Sequence, residues 1–360
     1  MHSIEIKISI IMPVYNVKLY LEKAARSIID QSFKDFELYL VDDGSTDGSS
    51  KLCDELSKTD NRIKVIHQNN AGAHNARNNA LKLAKGKYVC FFDSDDYISS
   101  EMLKDLYDIA EKYDSKLVIS GFYIETYYNE DKFINFDYIP VTTNNSEIQN
   151  FSNTLDFRTH AYLNFDKNMF YSPWNKLFRL DYLNNNNIKF PITYRDDFPF
   201  VIDVIKDIDN VTFTKTQYYH FLRKRSESET QKYVSNLYDK REEEHKMMVD
   251  LYKYWNIDDN NSNEMIARRY IDRIIECMVN LYNKQCKLTN TQKRKEIHKY
   301  LNSENFNSCI KIAKPKKLYL KIIYLILKSK VIVLNATMAR FINFVKKSNI
   351  KLFSYLKITR

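Results

Sequence analysis

Over the first 125 residues short apolar runs alternate with amphipathic ones, an order that few folds accept. "KISIIMPVYN", "FELYLVDDG", "IKVIHQ", "KYVCFFD" and "KLVISGFY" read as strands, and the stretches near 17–31, 47–59, 72–85 and 100–113 read as helices. This alternation predicts βαβ units around a mixed, mainly parallel sheet flanked by helices. In such sheets ligands bind at the carboxyl ends of the strands. The polar clusters "YN", "DDGSTDGS", "HQNNAGAHNARN" and "DSDD" all fall there.

Beyond this region the pattern changes. Residues 126–160, rich in Asn, Asp and Thr and without a period, are expected to form an excursion or a flexible loop. A helix near 198–207 and a strand "NVTFTKTQYYHFL" follow, and the pattern is helical from about 235 to 303. The expected divisions are 1–125 and 126–230 as two halves of one α/β domain, 231–310 as a helical region and 311–360 as a basic amphipathic tail. The chain carries a net +9, yet from Lys311 to Arg360 there are thirteen Lys/Arg and no Asp/Glu, so the first 310 residues sum to −4. No zinc finger, RNP aromatic signature or basic zipper is present, so nucleic acid is not an expected partner. Five cysteines without a C-x-x-C spacing, and no basic-then-apolar leader at the start, favour reduced thiols and a cytoplasmic location.

The longest apolar run of the tail, Ile322 to Leu327, is far shorter than the roughly 18–20 residues of a spanning helix. An interfacial helix is expected instead, its aliphatics in the headgroup boundary and Lys316, Lys317, Lys321, Lys328 and Lys330 facing anionic lipid at the inner membrane surface. The alternative is a helix packed on the protein itself, with its lysines in solvent.

Asp93 and Asp95 stand two residues apart just past a strand, so in extended backbone they point the same way and could share a hard cation or a sugar hydroxyl. Mg²⁺ or Mn²⁺ binds through few carboxylates plus a substrate's phosphates. Taken alone the spacing is weak, because Asp95 or Asp96 could simply turn the chain or open the next helix. Ser45, Thr46 and Asp47 suit a helix N-terminus; Asp42 and Asp43 instead continue an apolar strand into the expected cleft.

Taken together and in order, "IMPVYN" (11–16), "VDDGSTDGS" (41–49), "HQNNAGAHNARNNAL" (67–81) and "FFDSDDYI" (91–98) resemble the nucleotide-sugar-binding half of family 2 glycosyltransferases. The resemblance covers roughly residues 4–125 and implies a GT-A (Rossmann-like) fold, with inverting transfer of a sugar from a nucleotide donor, most often a UDP-sugar. It implies that Pro13 and Tyr15 line the base pocket and that Asp43, beside Asp42, reads the base. Arg77 would help hold the nucleotide, Asp93 and Ser94 the donor, and Asp95 a Mn²⁺ or Mg²⁺ ion on the diphosphate.

"SPWNKLFRLDYL" (172–183) and "YRDDFPF" (194–200) resemble the acceptor side of the same family. The resemblance makes Asp197 the base that deprotonates the acceptor hydroxyl; it precedes a helix whose N-terminal dipole is expected to keep it ionised, and the alternative is that it only caps that helix. Asp196 and Trp174 are implied at the acceptor, although a Trp beside an apolar run is as often core. His220 is a candidate to complete the metal shell, set against a structural role in its strand. The implied acceptor is a glycan or a lipid-linked molecule of the cell surface. Two other classes stay open: a nucleotidyltransferase, which usually carries a Gly-rich loop missing from "IMPVYNVKLYLEK", and a sugar- or partner-binding module derived from a transferase.

Overall fold

The structure, a computed structural model, describes residues 6–128, 132–193, 196–223 and 233–348. The chain divides into two compact units, residues 1–225 and 226–360.

In the first unit β1 (Ile8–Val14), α1 (Lys18–Ile29), β2 (Phe36–Asp42), α2 (Ser49–Thr59), β3 (Ile63–His67), α3 (Ala73–Leu81) and β4 (Tyr88–Phe91) alternate as expected. Then come β5 (Tyr97–Ile98), α4 (Met102–Tyr113), β6 (Leu117–Tyr128), β7 (Lys132–Tyr138), β8 (Ile148–Phe151), α5 (Thr154–Asp166), β9 (Lys176–Arg179), α6 (Leu180–Asn185), α7 (Asp197–Lys206) and β10 (Val211–Arg223). These strands form one mixed sheet in the order β3-β2-β1-β4-β9-β6-β10-β5, with β7 added to β6 and β8 to β10. Pairing is parallel along β3-β2-β1-β4 and between β6 and β10, and antiparallel where β9 enters between β4 and β6.

The stretch expected as an excursion is ordered where described: it holds β7, β8 and the start of α5, and only residues 129–131 lie outside the described residues. Two local signals in it were overridden by its polar composition. "INFDY" alternates, and Asn153 caps α5 by accepting from the backbone N–H groups of Leu155 and Asp156.

β2 is buried along its whole length, as helix-covered parallel strands are, and this includes the charged Glu37. Its carboxylate accepts from Ser9 Oγ at 2.6 Å, from the Lys85 N–H at 2.8 Å and from Tyr39, and it pairs with Lys64. Burial pulls the other way, but Lys64 and Ser9 hold Glu37 below the usual carboxylate range. Ser9 Oγ also accepts from the Gly86 N–H at 2.9 Å. A Cβ on Gly86 would lie 2.5 Å from Ser9 N and 2.7 Å from Tyr88 O, both backbone atoms. Gly86→Ala is therefore expected to destabilise the fold by about 1–3 kcal/mol, read as a fall in the urea midpoint at unchanged slope.

The chain runs from β1 outward to β2 and β3, then returns to place β4 on the other side of β1. That reversal opens a crevice at the carboxyl ends of β1 and β4. Tyr15 and Asn16 leave β1 there, and Phe92 and Asp93 leave β4.

The second unit is helical: α8 (Leu237–Trp255), α9 (Asn260–Asn280), α10 (Asn290–Asn302), α11 (Glu304–Ile312), α12 (Leu318–Ser329) and α13 (Ile332–Ser348). Its core includes Ile271, Ile274, Met278, Leu301, Phe306, Leu327 and Ala339. The expected helical region and the described part of the expected tail thus share one core. α12 and α13 each bury one face, so packing on the protein is realised for that face.

Candidate active site

Asp42 ends β2 and accepts from the Ser45 N–H and from His67 Nδ1, each at 3.0 Å. His67 Nε2 lies 3.0 Å from Asp54, and these two carboxylates, Asp42 first, raise the imidazole above its ordinary value. Gly44 supplies the turn beyond β2 with φ +76°, a conformation in which a side chain is strained.

Asp43 is 3% exposed, and its carboxylate accepts from Gln68 Nε2 at 2.7 Å and from the Ala71 and Gly72 N–H groups at 2.8 and 2.9 Å. These bonds set the loop that opens α3. Asp43, expected to read a base, thus ties down the start of α3, the helix that carries Arg77. Pro13 is half-buried in β1 beside Val41, and Tyr15 at the end of β1 is 50% exposed.

Arg77 is the hub of the site. Only 4% of it is exposed. Its Nη2 donates to Asp93 Oδ1 at 2.8 Å, and its Nη1 to Asp197 Oδ1 at 2.9 Å and Asp196 Oδ2 at 3.2 Å. One guanidinium therefore joins the carboxylate that follows β4 to the two that open α7, across more than a hundred residues of sequence. Burial opposes its charge, yet Asp197, Asp93 and Asp196 raise its pKa above the ordinary value.

Asp197 is the first residue of α7, and Asp196 at the N-cap makes no side-chain cap bond. The expected dipole effect is outweighed: burial, helped by Asp93 and Asp196 and opposed by Arg77, pushes Asp197 up to about 7. Burial likewise raises Asp196, against Arg77 and His74. Tyr194 and Arg195 of the same motif lie outside the described residues.

A second buried cation of this unit, Lys176 at the start of β9, lies in "SPWNKLF" and was not among the expected site residues. Its Nζ donates to Ser172 O and to Asn175 Oδ1, each at 2.6 Å. Burial lowers it to about 7, with Asp197 opposing. A lysine directly before the apolar pair Leu177–Phe178 is the signal that the sequence carries.

The turn after β4 is held from below. Asp96 is buried and accepts from Tyr219 Oη and from the Leu222 N–H, each at 2.7 Å, and Tyr219 Oη accepts from the Asp93 N–H at 3.3 Å. Burial, then Asp95 and Asp93, raise Asp96 well above the usual carboxylate range. Ser94 is buried beside it, while Asp95 is exposed.

Two expectations are corrected. Trp174, expected as an acceptor platform, is a core residue stacked on Tyr219 at 4.3 Å and met edge-on by Phe122. It supports the tyrosine that fixes Asp93 and Asp96. His220, expected in a metal shell, lies between the rings of Tyr97 and Tyr123 at 4.2 and 4.7 Å, with Nδ1 on Glu125 at 2.8 Å and Nε2 on Ser99 at 3.2 Å. Both ring nitrogens are engaged by protein groups, so His220 serves as a support between β5, β6 and β10.

Among the described residues no three His, Cys, Asp or Glu side chains are grouped to hold an ion by themselves. This suits a cation that needs only one or two carboxylates and completes its shell with phosphate and water. Asp95, exposed in the turn after β4, is the carboxylate that would hold such a cation.

Residues 9–186 match the model of glycosyl transferase family 2. Over that stretch the chain carries the glycosyl transferase family 2 sequence pattern. It is 32% identical over 206 residues to the uncharacterized glycosyltransferase EpsJ of Bacillus subtilis, spanning 57% of each chain. It is 30% identical over 218 residues to the cholesterol galactosyltransferase of Borreliella burgdorferi, spanning 59% of each. The chain thus matches little more than half the length of these relatives. The crystal structure of Staphylococcus aureus TarS 1-349 in complex with UDP-GlcNAc superposes with a TM-score of 0.64 at 23% identity, over 93% of this chain and 90% of that one. Its likeness shows that the chain has the GT-A fold.

Proposed function

We propose that this chain is a metal-dependent, inverting glycosyltransferase that moves a sugar from a UDP-sugar to a hydroxyl of a glycan or lipid-linked acceptor in cell-surface polysaccharide synthesis. It would act as a peripheral protein at the cytoplasmic face of the cell membrane; among the described residues no helix is long and apolar enough to cross one. The observation that carries the reading is Arg77, whose guanidinium holds the donor-side Asp93 and the candidate base Asp197 at 2.8 and 2.9 Å.

In this reading Tyr15 stacks on the uracil ring, and Pro13, Asp42 and Asp43 shape the wall and loop around it. Asp93 and Ser94 meet the ribose or sugar, and Asp196 orients the acceptor. Asp95 would hold Mn²⁺ or Mg²⁺, which would supply charge neutralisation for the diphosphate. Asp197 accepts the proton of the acceptor hydroxyl as its oxygen bonds to the anomeric carbon. The bond from that carbon to the diphosphate oxygen breaks on the opposite face, and UDP leaves with the electron pair, so the configuration inverts. Arg77 keeps Asp197 aimed and offsets the repulsion from Asp93.

TarS, which shares the fold, was crystallised with UDP-GlcNAc and with UDP, so uracil nucleotides are the first ligands to try. Calorimetric titration with UDP should show binding that strengthens with Mn²⁺ or Mg²⁺ and loses this dependence in Asp95→Ala. Tyr15→Ala should weaken UDP binding by about 0.5–1.5 kcal/mol, the worth of an aromatic stack. UDP binding absent with either metal would overturn the reading.

A further inference from the structure

α12 and α13 are apolar on two opposite faces. In α12 the buried residues Leu320, Tyr324 and Leu327 recur at helical steps, and a second set, Leu318, Ile322 and Leu325, recurs at the same steps about 200° around the axis. In α13 Ala336, Met338 and Ala339 enter the core while Val333, Leu334 and Phe341 face outward. Those six outward residues are 44% to 75% exposed. A helix at the surface of a water-soluble fold carries polar side chains on its outer face, so large aliphatic and aromatic residues there mark a face made for another phase or partner.

The charge around these stripes says which. Lys321 and Lys328 are exposed along one flank of the α12 stripe, and no Asp or Glu occurs from Lys311 to Arg360. An acidic protein surface could answer the lysines but not the apolar rows; the headgroup boundary of an anionic bilayer answers both.

We infer that the outward stripes of α12 and α13 form a membrane-docking surface that inserts into the interface of anionic lipid, with Lys321 and Lys328 at phosphate level. The inference deepens the peripheral-membrane part of the proposed function and rests on it for which membrane is met, but not on the transfer chemistry. Docking of this kind takes two signals at once, apolar insertion and charge, so removing either should release the protein.

The test is flotation of the full chain with phosphatidylcholine vesicles containing about 30 mol% phosphatidylglycerol. Wild type should float with these and far less with phosphatidylcholine alone. Ile322→Asp/Leu325→Asp and, independently, Val333→Asp/Phe341→Asp should each lower the bound fraction by about tenfold or more, with the circular dichroism spectrum and UDP binding unchanged. Lys321→Gln/Lys328→Gln should release the protein at lower salt. The surface is refuted if wild type stays in solution with the anionic vesicles, or if both stripe variants float like wild type. It is equally refuted if wild type forms a dimer that these variants dissolve and that does not float, because a second copy then covers the face. A chain that floats as described yet never binds UDP removes the proposed function and leaves this surface standing.

Discussion

Asp197→Asn is expected to lower the rate of sugar transfer by about 10²–10⁴-fold, the usual contribution of a positioned general base, while UDP still binds. The amide keeps the shape of the side chain and can still face Arg77, but it cannot take a proton. Burial, with Asp93 and Asp196 adding to it, pushes Asp197 up to about 7, close to the pH at which a base combines a populated anion with real driving force for proton uptake. The active form is the deprotonated one, so kcat/KM should rise with pH and level off above about 7, and the residual rate of the variant should lack that limb. A variant that retains wild-type turnover would show that the proton goes elsewhere.

Arg77→Ala is expected to destabilise the first unit by about 3–5 kcal/mol at neutral pH, the cost of removing one partner of a buried charge cluster. Asp93, Asp196 and Asp197 all bond to this guanidinium, so its loss leaves three neighbouring carboxylates without their shared cation. The deficit should depend on pH in a stated direction. Asp197 binds its proton more tightly folded than unfolded, so between its ordinary value of 3.8 and about 7 its charge already makes stability fall as pH rises. Without Arg77 that fall steepens. The gap between variant and wild type should therefore shrink from pH 7.5 toward pH 5, in urea unfolding followed by fluorescence. A gap independent of pH would mean that Arg77 acts by packing alone, for instance over the Phe190 ring at 5.0 Å.

The first four strands and the helices between them were legible because local rules act together there: apolar runs of strand length, amphipathic runs of helix length, and turn residues at each junction. For the same reason Asp42, Asp43, Asp93 and Asp95 could be placed at strand ends. What joins them could not be read. Arg77 meets Asp196 and Asp197 across about 120 positions, and that meeting depends on β9 entering the sheet antiparallel between β4 and β6, a pairing that leaves no periodic mark. Trp174 and His220 show the opposite error. Their residue types suggest binding chemistry, yet aromatic neighbours from β5, β6 and β10 turn both into supports. In the tail, the mixture of aliphatics and lysines was visible, but the division of each helix into a core face and an outward face required the packing of the second unit.

The most direct measurement is release of UDP from a panel of UDP-sugars by wild type, with Mn²⁺ or Mg²⁺ and with a chelator, beside Asp95→Ala and Asp197→Asn, in the presence of glycan and lipid-linked acceptors. The account expects one donor to be consumed only with metal, with turnover lost in both variants and UDP binding retained in Asp197→Asn. Turnover that survives the chelator and Asp95→Ala, or UDP bound with metal but no donor consumed with any acceptor, would contradict it.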